Sequence, residues 1–215
     1  MRMMLKDRAD GGKKLAERLL IYKDDPSVIV IGLPRGGVVP AYEVAQVLDA
    51  PMDIIVTRKV GAPTQPELAV AAVTSDGTVL YNDRVMKNLG YSLDVIDDLA
   101  EAEKKEAVRR LETYRQGRAP LDLKDKTVIL VDDGVATGMT MKAAIMSAGL
   151  RGAKKIVVAV PVLPSDSMET LKEMVDDVQY VLMPETFFSI SEFYELFPQT
   201  SDEEVIALMD VAKKP

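Results

Sequence analysis

Residues 128–141 read Val-Ile-Leu-Val-Asp-Asp-Gly-Val-Ala-Thr-Gly-Met-Thr-Met, and this run decides the fold. Four consecutive apolar residues, 128–131, predict a strand buried on both faces, as in a parallel sheet. The strand delivers two adjacent carboxylates, Asp132 and Asp133. A loop of small and hydroxyl residues follows (Ala136, Thr137, Gly138, Met139, Thr140) and opens an apolar-periodic helix. N–H groups at a helix start attract an anion, and small residues let a phosphate approach them closely. Two carboxylates nearby suit the hydroxyl pair of a sugar, so the segment describes a site for a ribose 5-phosphate. A parallel strand ending in Asp-Asp before a helix also occurs in receiver and sugar-kinase folds, and the segment alone leaves those readings open.

Upstream the same alternation repeats. Residues 11–22 predict a helix, with Leu15, Leu19 and Tyr22 at helical spacing after Asp10 as its cap. Strands are expected over 27–33 and 52–57, with a helix over 38–48 between them. Leu33-Pro34-Arg35-Gly36-Gly37 joins the first strand to that helix and matches neither the Rossmann nor the Walker A spacing. Gly36 and Gly37 can turn successive N–H groups toward one anion. Arg35 adds a planar cationic fork suited to phosphate oxygens. Gly-Gly alone more often marks an ordinary turn, but position strengthens the anion reading. In a doubly wound sheet the first strand and the later central strand lie side by side, and ligands bind beyond their carboxyl ends. Here both ends carry an anion-suited loop. Arg58 and Lys59 follow the second strand directly and lead into a Gly- and Pro-bearing loop, 61–66, with Glu67 beyond. A surface basic pair is the alternative, but with the other two loops in register a role at the anion site is expected. A strand over 68–74 and a turn at Ser75-Asp76-Gly77 then lead into another over 79–81.

The pattern breaks between 83 and 126. Residues 94–114 predict a charged helix with supporting pairs Glu101–Lys105 and Glu106–Arg110. Its apolar stripe, Ile96, Ala100, Ala107, Leu111 and Tyr114, is expected to pack on the body or on a second subunit, and a lid is the minority alternative. After the central motif come a helix to 150, a strand over 155–160, a helix over 165–174 with Ser165 or Asp166 near its cap, and a strand over 178–182. An acidic helix ends the chain, starting at Thr200-Ser201-Asp202-Glu203-Glu204. Strands alternating with helices imply an α/β fold, a doubly wound and mainly parallel sheet flanked by helices. The organisation expected is one domain over 1–215, with a helical insertion at 83–126 and a small hood at 184–215.

Composition narrows the class. The chain has 215 residues, 47% of them apolar and 28% charged, which suits a globular domain with a proper core. A net charge of −7 argues against a general nucleic-acid surface. The chain has no cysteine, which removes disulfides and thiolate chemistry, and no histidine, which removes imidazole acid–base catalysis and most zinc sites. The first ten residues lack an apolar core of signal-peptide length, and the longest apolar stretch, 156–163, is too short to span a bilayer. No membrane association is expected, and a cytoplasmic location fits.

The run at 128–141 resembles the signature of the type I phosphoribosyltransferases, which bind 5-phosphoribosyl 1-diphosphate. Asp7-Arg8 with Gly12 and Leu15-Ala16, Leu-Pro-Arg-Gly-Gly (33–37), Arg-Lys-Val-Gly-Ala-Pro (58–63), Pro-Glu-Leu-Ala (66–69) and Phe-Pro-Gln-Thr-Ser-Asp-Glu-Glu (197–204) extend the resemblance over most of the chain, to a poorly characterised subgroup. The resemblance implies that Arg35, Gly36 and Gly37 hold the diphosphate, helped by Arg58 and Lys59 ahead of a mobile loop. Ala136, Thr137, Gly138, Met139 and Thr140 would hold the 5-phosphate, and Asp132 and Asp133 the ribose. Arg35, Lys59, Asp132 and Asp133 are the residues assigned to catalysis. Mg²⁺ would be bound mainly through the donor, touching Asp132 only through water. The acceptor would be a small planar nitrogen compound, and a homodimer is the default for the family.

One departure bears on the chemistry. Hypoxanthine and guanine enzymes have an aspartate, thought to act as a base, where this chain has Ala136, and Met139 fits neither the lysine nor the glycine found at its position. The loop therefore supplies no base, and Glu67, just beyond the 61–66 loop, is the candidate substitute. Candidates for the acceptor pocket are 184–188 and Tyr194. The phenylalanines Phe187, Phe188, Phe193 and Phe197 are equally expected simply to pack the terminal helix onto the sheet. Two other readings stay open at this point: a non-catalytic module that senses phosphoribosyl diphosphate or a nucleotide, and a diverged scaffold whose insertion mediates association.

Overall fold

Residues 4–212 are described by a computed structural model of the protein. The ends of the expected domain and hood, 1–3 and 213–215, lie outside the described residues. In chain order, α1 (Arg8–Arg18) and a 3-10 turn (Leu20–Tyr22) lead into β1 (Val28–Gly32), α2 (Val38–Leu48) and β2 (Met52–Ile54). Next come β3 (Thr57–Ala62), β4 (Gln65–Thr74), β5 (Val79–Tyr81), α3 (Asp83–Leu89) and α4 (Leu93–Arg115). The second half supplies β6 (Thr127–Val131), α5 (Met139–Leu150), β7 (Lys155–Val162), α6 (Ser165–Lys172), β8 (Asp177–Leu182), a 3-10 turn (Ile190–Phe193) and α7 (Asp202–Val211).

The apolar strands pair in parallel in the order β2-β1-β6-β7-β8. Their alternate residues feed two cores. Val28, Val30, Ile129, Val131, Val157 and Ala159 pack with residues of α1, α2 and α7 on one face. Ile29, Ile31, Val128, Leu130, Val158 and Val160 pack with residues of α5 and α6 on the other. Burial on both faces is why these strands read as unbroken apolar runs, each fully buried Val, Leu or Ile side chain contributing about 1.5–3 kcal/mol. Gly32 of β1 is level with Val131 of β6, so the loops at 33–37 and 132–138 leave the sheet side by side. The doubly wound parallel architecture expected from the sequence is the one observed.

The second strand differs from expectation. The parallel sheet keeps only β2, and the chain from Thr57 onward forms a separate antiparallel sheet, β3-β4-β5. Arg58 and Lys59 thus lie inside β3, paired with Val73 and Ala72, rather than just beyond the carboxyl end of a parallel strand. The expected loop 61–66 contracts to a turn at Pro63 and Thr64 between β3 and β4. Polar Thr57-Arg58-Lys59 becomes strand because its partner is the apolar run 70–73, which is fully buried and needs a ladder. Pro66 is accommodated at the hairpin end, where the register shifts twice around Gly61.

The stripe on α4 packs on the chain's own body. Ile96 and Ala100 lie under β3 and β4, while Ala107 and Tyr114 join the core of the large sheet. The Glu106–Arg110 pair forms at 2.7 Å, whereas Glu101 pairs with Lys104 at 3.4 Å rather than with Lys105. The helix α1 starts earlier than expected, at Arg8, because Asp7 rather than Asp10 caps it, accepting from the Asp10 N–H at 2.8 Å. Pro164, without a side-chain bond, precedes α6, and Ser201 caps α7 by accepting from the Glu204 N–H. The hood phenylalanines do not join α7 to the sheet. Phe187, Phe193 and Phe197 cluster with Leu5, Val162, Leu182 and Tyr194, and α7 packs instead on α2 and α4. Among the described residues no helix is long and apolar enough to cross a membrane.

Candidate active site

Two glycines bring the neighbouring loops into contact. A Cβ on Gly36 would lie 2.1 Å from Asp133 Oδ2, and one on Gly37 2.7 Å from Asp132 Oδ1 and 2.6 Å from the Leu33 carbonyl oxygen. Only glycine lets the 33–37 turn rest directly on the carboxylates. The Pro34–Arg35 peptide within this turn is cis. Asp132 Oδ1 accepts from the Asp133 N–H at 2.8 Å, which ties the two acids to each other.

Beyond the acids lies a cleft of about 180 Å³, lined by Lys59, Asp132, Asp133, the 134–138 loop, Thr140, Met141 and Ile190. The loop ends at Gly138, where no side chain caps α5, so its first-turn N–H groups offer an anion the donors described above. Ser167 Oγ donates to the Ala136 carbonyl at 3.0 Å and the Val135 N–H to Val162 O at 3.0 Å, which hold the loop's outer limb. The Met139 side chain is turned inward, buried against Ala72 and Ala143.

The electrostatics set the two acids apart. Burial and the neighbouring Asp133 carboxylate push Asp132 well above the ordinary carboxylate range, with Arg8 and Lys59 opposing. Burial also raises Asp133, and the Arg8 guanidinium offsets this only in part through an ion pair at 2.7 Å. Asp132 is therefore the acid that holds a proton longer. Tyr194 Oη donates to the Asp133 carbonyl at 2.6 Å, and burial beside Asp133 raises the phenol, which keeps it a donor.

The structure gathers Gly36, Gly37, Lys59, Asp132, Asp133, Ala136, Thr137, Gly138 and Thr140 around one cleft or its rim. Besides Met139, two predicted residues point elsewhere. Arg35 sends its Nη1 toward Asp202 Oδ1 at 3.6 Å, and both side chains are about two-fifths exposed. Arg58 is held on α4 by Glu103 at 2.7 Å, because successive strand residues face opposite sides and Lys59 takes the cleft side. Tyr194 is buried beneath the acids and presents no ring for stacking, while Phe188 is 81% exposed. Glu67 lies at the far tip of the β3–β4 hairpin, outside the cleft lining. Ile190, which covers Gly134, and Arg8 carry no role in the sequence reading. Arg8 stood within a recognisable motif, but nothing in sequence spacing relates it to Asp133, 125 residues away.

Residues 3–196 match the phosphoribosyl transferase domain family. A protein of Mycobacterium tuberculosis, named provisionally as a phosphoribosyl transferase and found in two strains, is 42% identical over 208 residues. That match covers 97% of this chain and 47% of the relative, so the chain spans about half the length of the curated relatives it matches. Among solved structures, TT1426 from Thermus thermophilus superposes with a TM-score of 0.81 at 36% identity, over 96% of this chain and 98% of that one. The AQ2163 protein of Aquifex aeolicus shares the fold at a TM-score of 0.51 and 14% identity, over 95% of this chain and 86% of that one.

Proposed function

The chain belongs to the phosphoribosyl transferase family, and from that premise we propose that it transfers phosphoribose from 5-phosphoribosyl 1-diphosphate to a nitrogen acceptor, releasing pyrophosphate. The observation that carries this reading is the meeting of two anion-suited loops at one acid pair, with Lys59 facing them across the cleft. The loop at 136–140 and the start of α5 take the 5-phosphate. The acids accept from the ribose hydroxyls. The turn at 33–37 and Lys59 take the diphosphate, and a diphosphate outcompetes the half-exposed Asp202 for Arg35, since such pairs are worth little in water.

In the reaction a nitrogen lone pair forms a bond to C1 of the ribose as the C1–O bond breaks, and pyrophosphate leaves with the bonding electrons. Positive charge develops on the sugar and negative charge grows on the leaving group. Catalysis is then positioning and electrostatic stabilisation by groups already in place. Among the described residues no cluster of three or more acidic side chains forms a cage for a cation. The carboxylate oxygens of Asp132 and Asp133 are donors of the kind Mg²⁺ prefers, and the ion would be carried mainly by the diphosphate and would reach Asp132 through water. Bound there, the ion would supply charge to stabilise the leaving group.

A sensing role without catalysis is the second reading. It is favoured by a cleft lining in which, apart from the acid pair, the titratable side chain is the cationic Lys59, leaving no separate base. Pyrophosphate release, followed across a panel of purine and pyrimidine bases with donor and Mg²⁺, separates the two. Release with one base supports transfer. Tight donor binding with no release for any base supports sensing.

The raised Asp132 gives the site a pH dependence. Its ionised form accepts from the sugar hydroxyls, so donor affinity is expected to weaken as pH falls through the raised value. Donor titrations from slightly alkaline to mildly acidic pH check this. An affinity flat across that range counts against Asp132 as the hydroxyl acceptor.

A further inference from the structure

Arg8 opens α1, yet its side chain ends at the acid pair. Nε donates to Asp133 Oδ2 at 2.7 Å, Nη1 donates to the Pro198 carbonyl at 2.5 Å, and the guanidinium lies 3.7 Å from the centre of the Phe197 ring. Side-chain exposure is 11% for Arg8 and 12% for Asp133, so solvent screens this pair little. One planar cation thus grips a carboxylate, a hood carbonyl and a hood ring at once, a combination that only a guanidinium offers. The surroundings converge on the same point. Tyr194 bonds the Asp133 carbonyl, Ile190 covers Gly134, and a Cβ on Gly36 would meet both Asp133 Oδ2 and, at 3.0 Å, Arg8 Nε.

We infer that Arg8 is a positioning residue for the acid pair, fixing Asp133 and coupling its placement to the seating of the hood and of the 33–37 turn. This deepens the donor reading given above and rests on it. Asp133 lines the cleft while Oδ2 is engaged by Arg8, and its own N–H is held by Asp132 Oδ1. Fixing one acid therefore fixes the peptide from which the other projects. Without the guanidinium, Asp133 has a buried charge and no counter-ion. It is then free to rotate toward another partner, and the turn resting on it loses its seat. Lysine keeps the charge but neither the fork nor the flat face, so it restores part of the effect.

The test is calorimetric titration of phosphoribosyl diphosphate with Mg²⁺ against wild type, Arg8→Gln, Arg8→Lys and Arg115→Gln, at a temperature where circular dichroism shows all four folded. Arg115 belongs to a comparably buried ion pair with Asp53 that contributes nothing to the cleft lining. Arg8→Gln is expected to weaken donor affinity by about 10- to 100-fold, Arg8→Lys to fall between it and wild type, and Arg115→Gln to stay within about twofold. Unchanged affinity in Arg8→Gln, or an equal loss in Arg115→Gln, overturns the inference, since the second outcome reflects general loosening. If Arg8→Gln does not fold, Arg8→Lys carries the test, and its wild-type affinity overturns the inference. Failure of the wild type itself to bind removes the donor reading and this inference together, whereas wild-type binding with an indifferent Arg8 removes this inference alone.

Discussion

Replacing Asp132 by asparagine is expected to abolish transfer and to make the protein more stable at neutral pH. The functional loss follows from hydrogen bonds to an ionised acceptor, worth about 1.5–3 kcal/mol each, so that losing two costs ~10²-fold or more in donor affinity. The stability gain follows from linkage. Burial and Asp133 raise Asp132 above its unfolded value. Between those two values the folded chain holds a proton that the unfolded chain has released, so stability falls as pH rises through that window. Above the unfolded value the buried carboxyl is then a net cost to folding, which the neutral amide removes. Each 1 kcal/mol regained raises Tm by about 2–4 °C for a chain of this size. Thermal melts across mildly acidic to neutral pH, run beside donor titrations, read both effects. A variant that loses Tm and affinity together contradicts this account of Asp132 as an acid held for function at the expense of stability.

The largest stability effect lies outside the cleft. Asp53 on β2 is 3% exposed and is gripped by Arg115 at the end of α4, Nη2 to Oδ2 at 2.8 Å and Nε to Oδ1 at 3.2 Å. The Leu121 N–H adds a bond at 3.0 Å, so one carboxylate fastens the end of α4 and the chain beyond it to the large sheet. Breaking a buried pair from one side strips the charge of its bonded partner, and with Arg151 left as a nearby cation Arg115→Met is expected to cost about 3 kcal/mol. Asp53→Asn in the same chain is expected to recover part of that loss. Urea unfolding of both single variants and the double variant measures the coupling. Additive losses contradict the pairing.

How much of this was legible in sequence depends on the range of the physics involved. The buried strands β1, β6 and β7 announce themselves through runs such as 128–131, because burial on both faces forbids polar alternation. The acid pair, the 136–140 loop and the Gly36-Gly37 turn were legible for the same reason, since each is a local pattern at a strand's end. β3 was not. Thr57-Arg58-Lys59 is polar, and it becomes strand through a partner that lies across a turn and satisfies its ladder. Its misplacement also hid the facing rule that turns Lys59 to the cleft and Arg58 to Glu103. Arg35 read as a phosphate fork, but only the packing of α7 shows Asp202 within 3.6 Å of it. Arg8 and Tyr194 reach Asp133 from opposite ends of the chain, and local periodicity contains no such distance.

The central claim is that one acid pair, set between two anion-binding loops, holds phosphoribosyl diphosphate. Calorimetric titration of that donor, with and without Mg²⁺, against wild type and the Asp132→Asn/Asp133→Asn double variant tests it most directly. Mg²⁺-dependent micromolar binding by the wild type, lost in a double variant that still folds, is the predicted result. No binding by the wild type, or equal binding by the double variant, would contradict it.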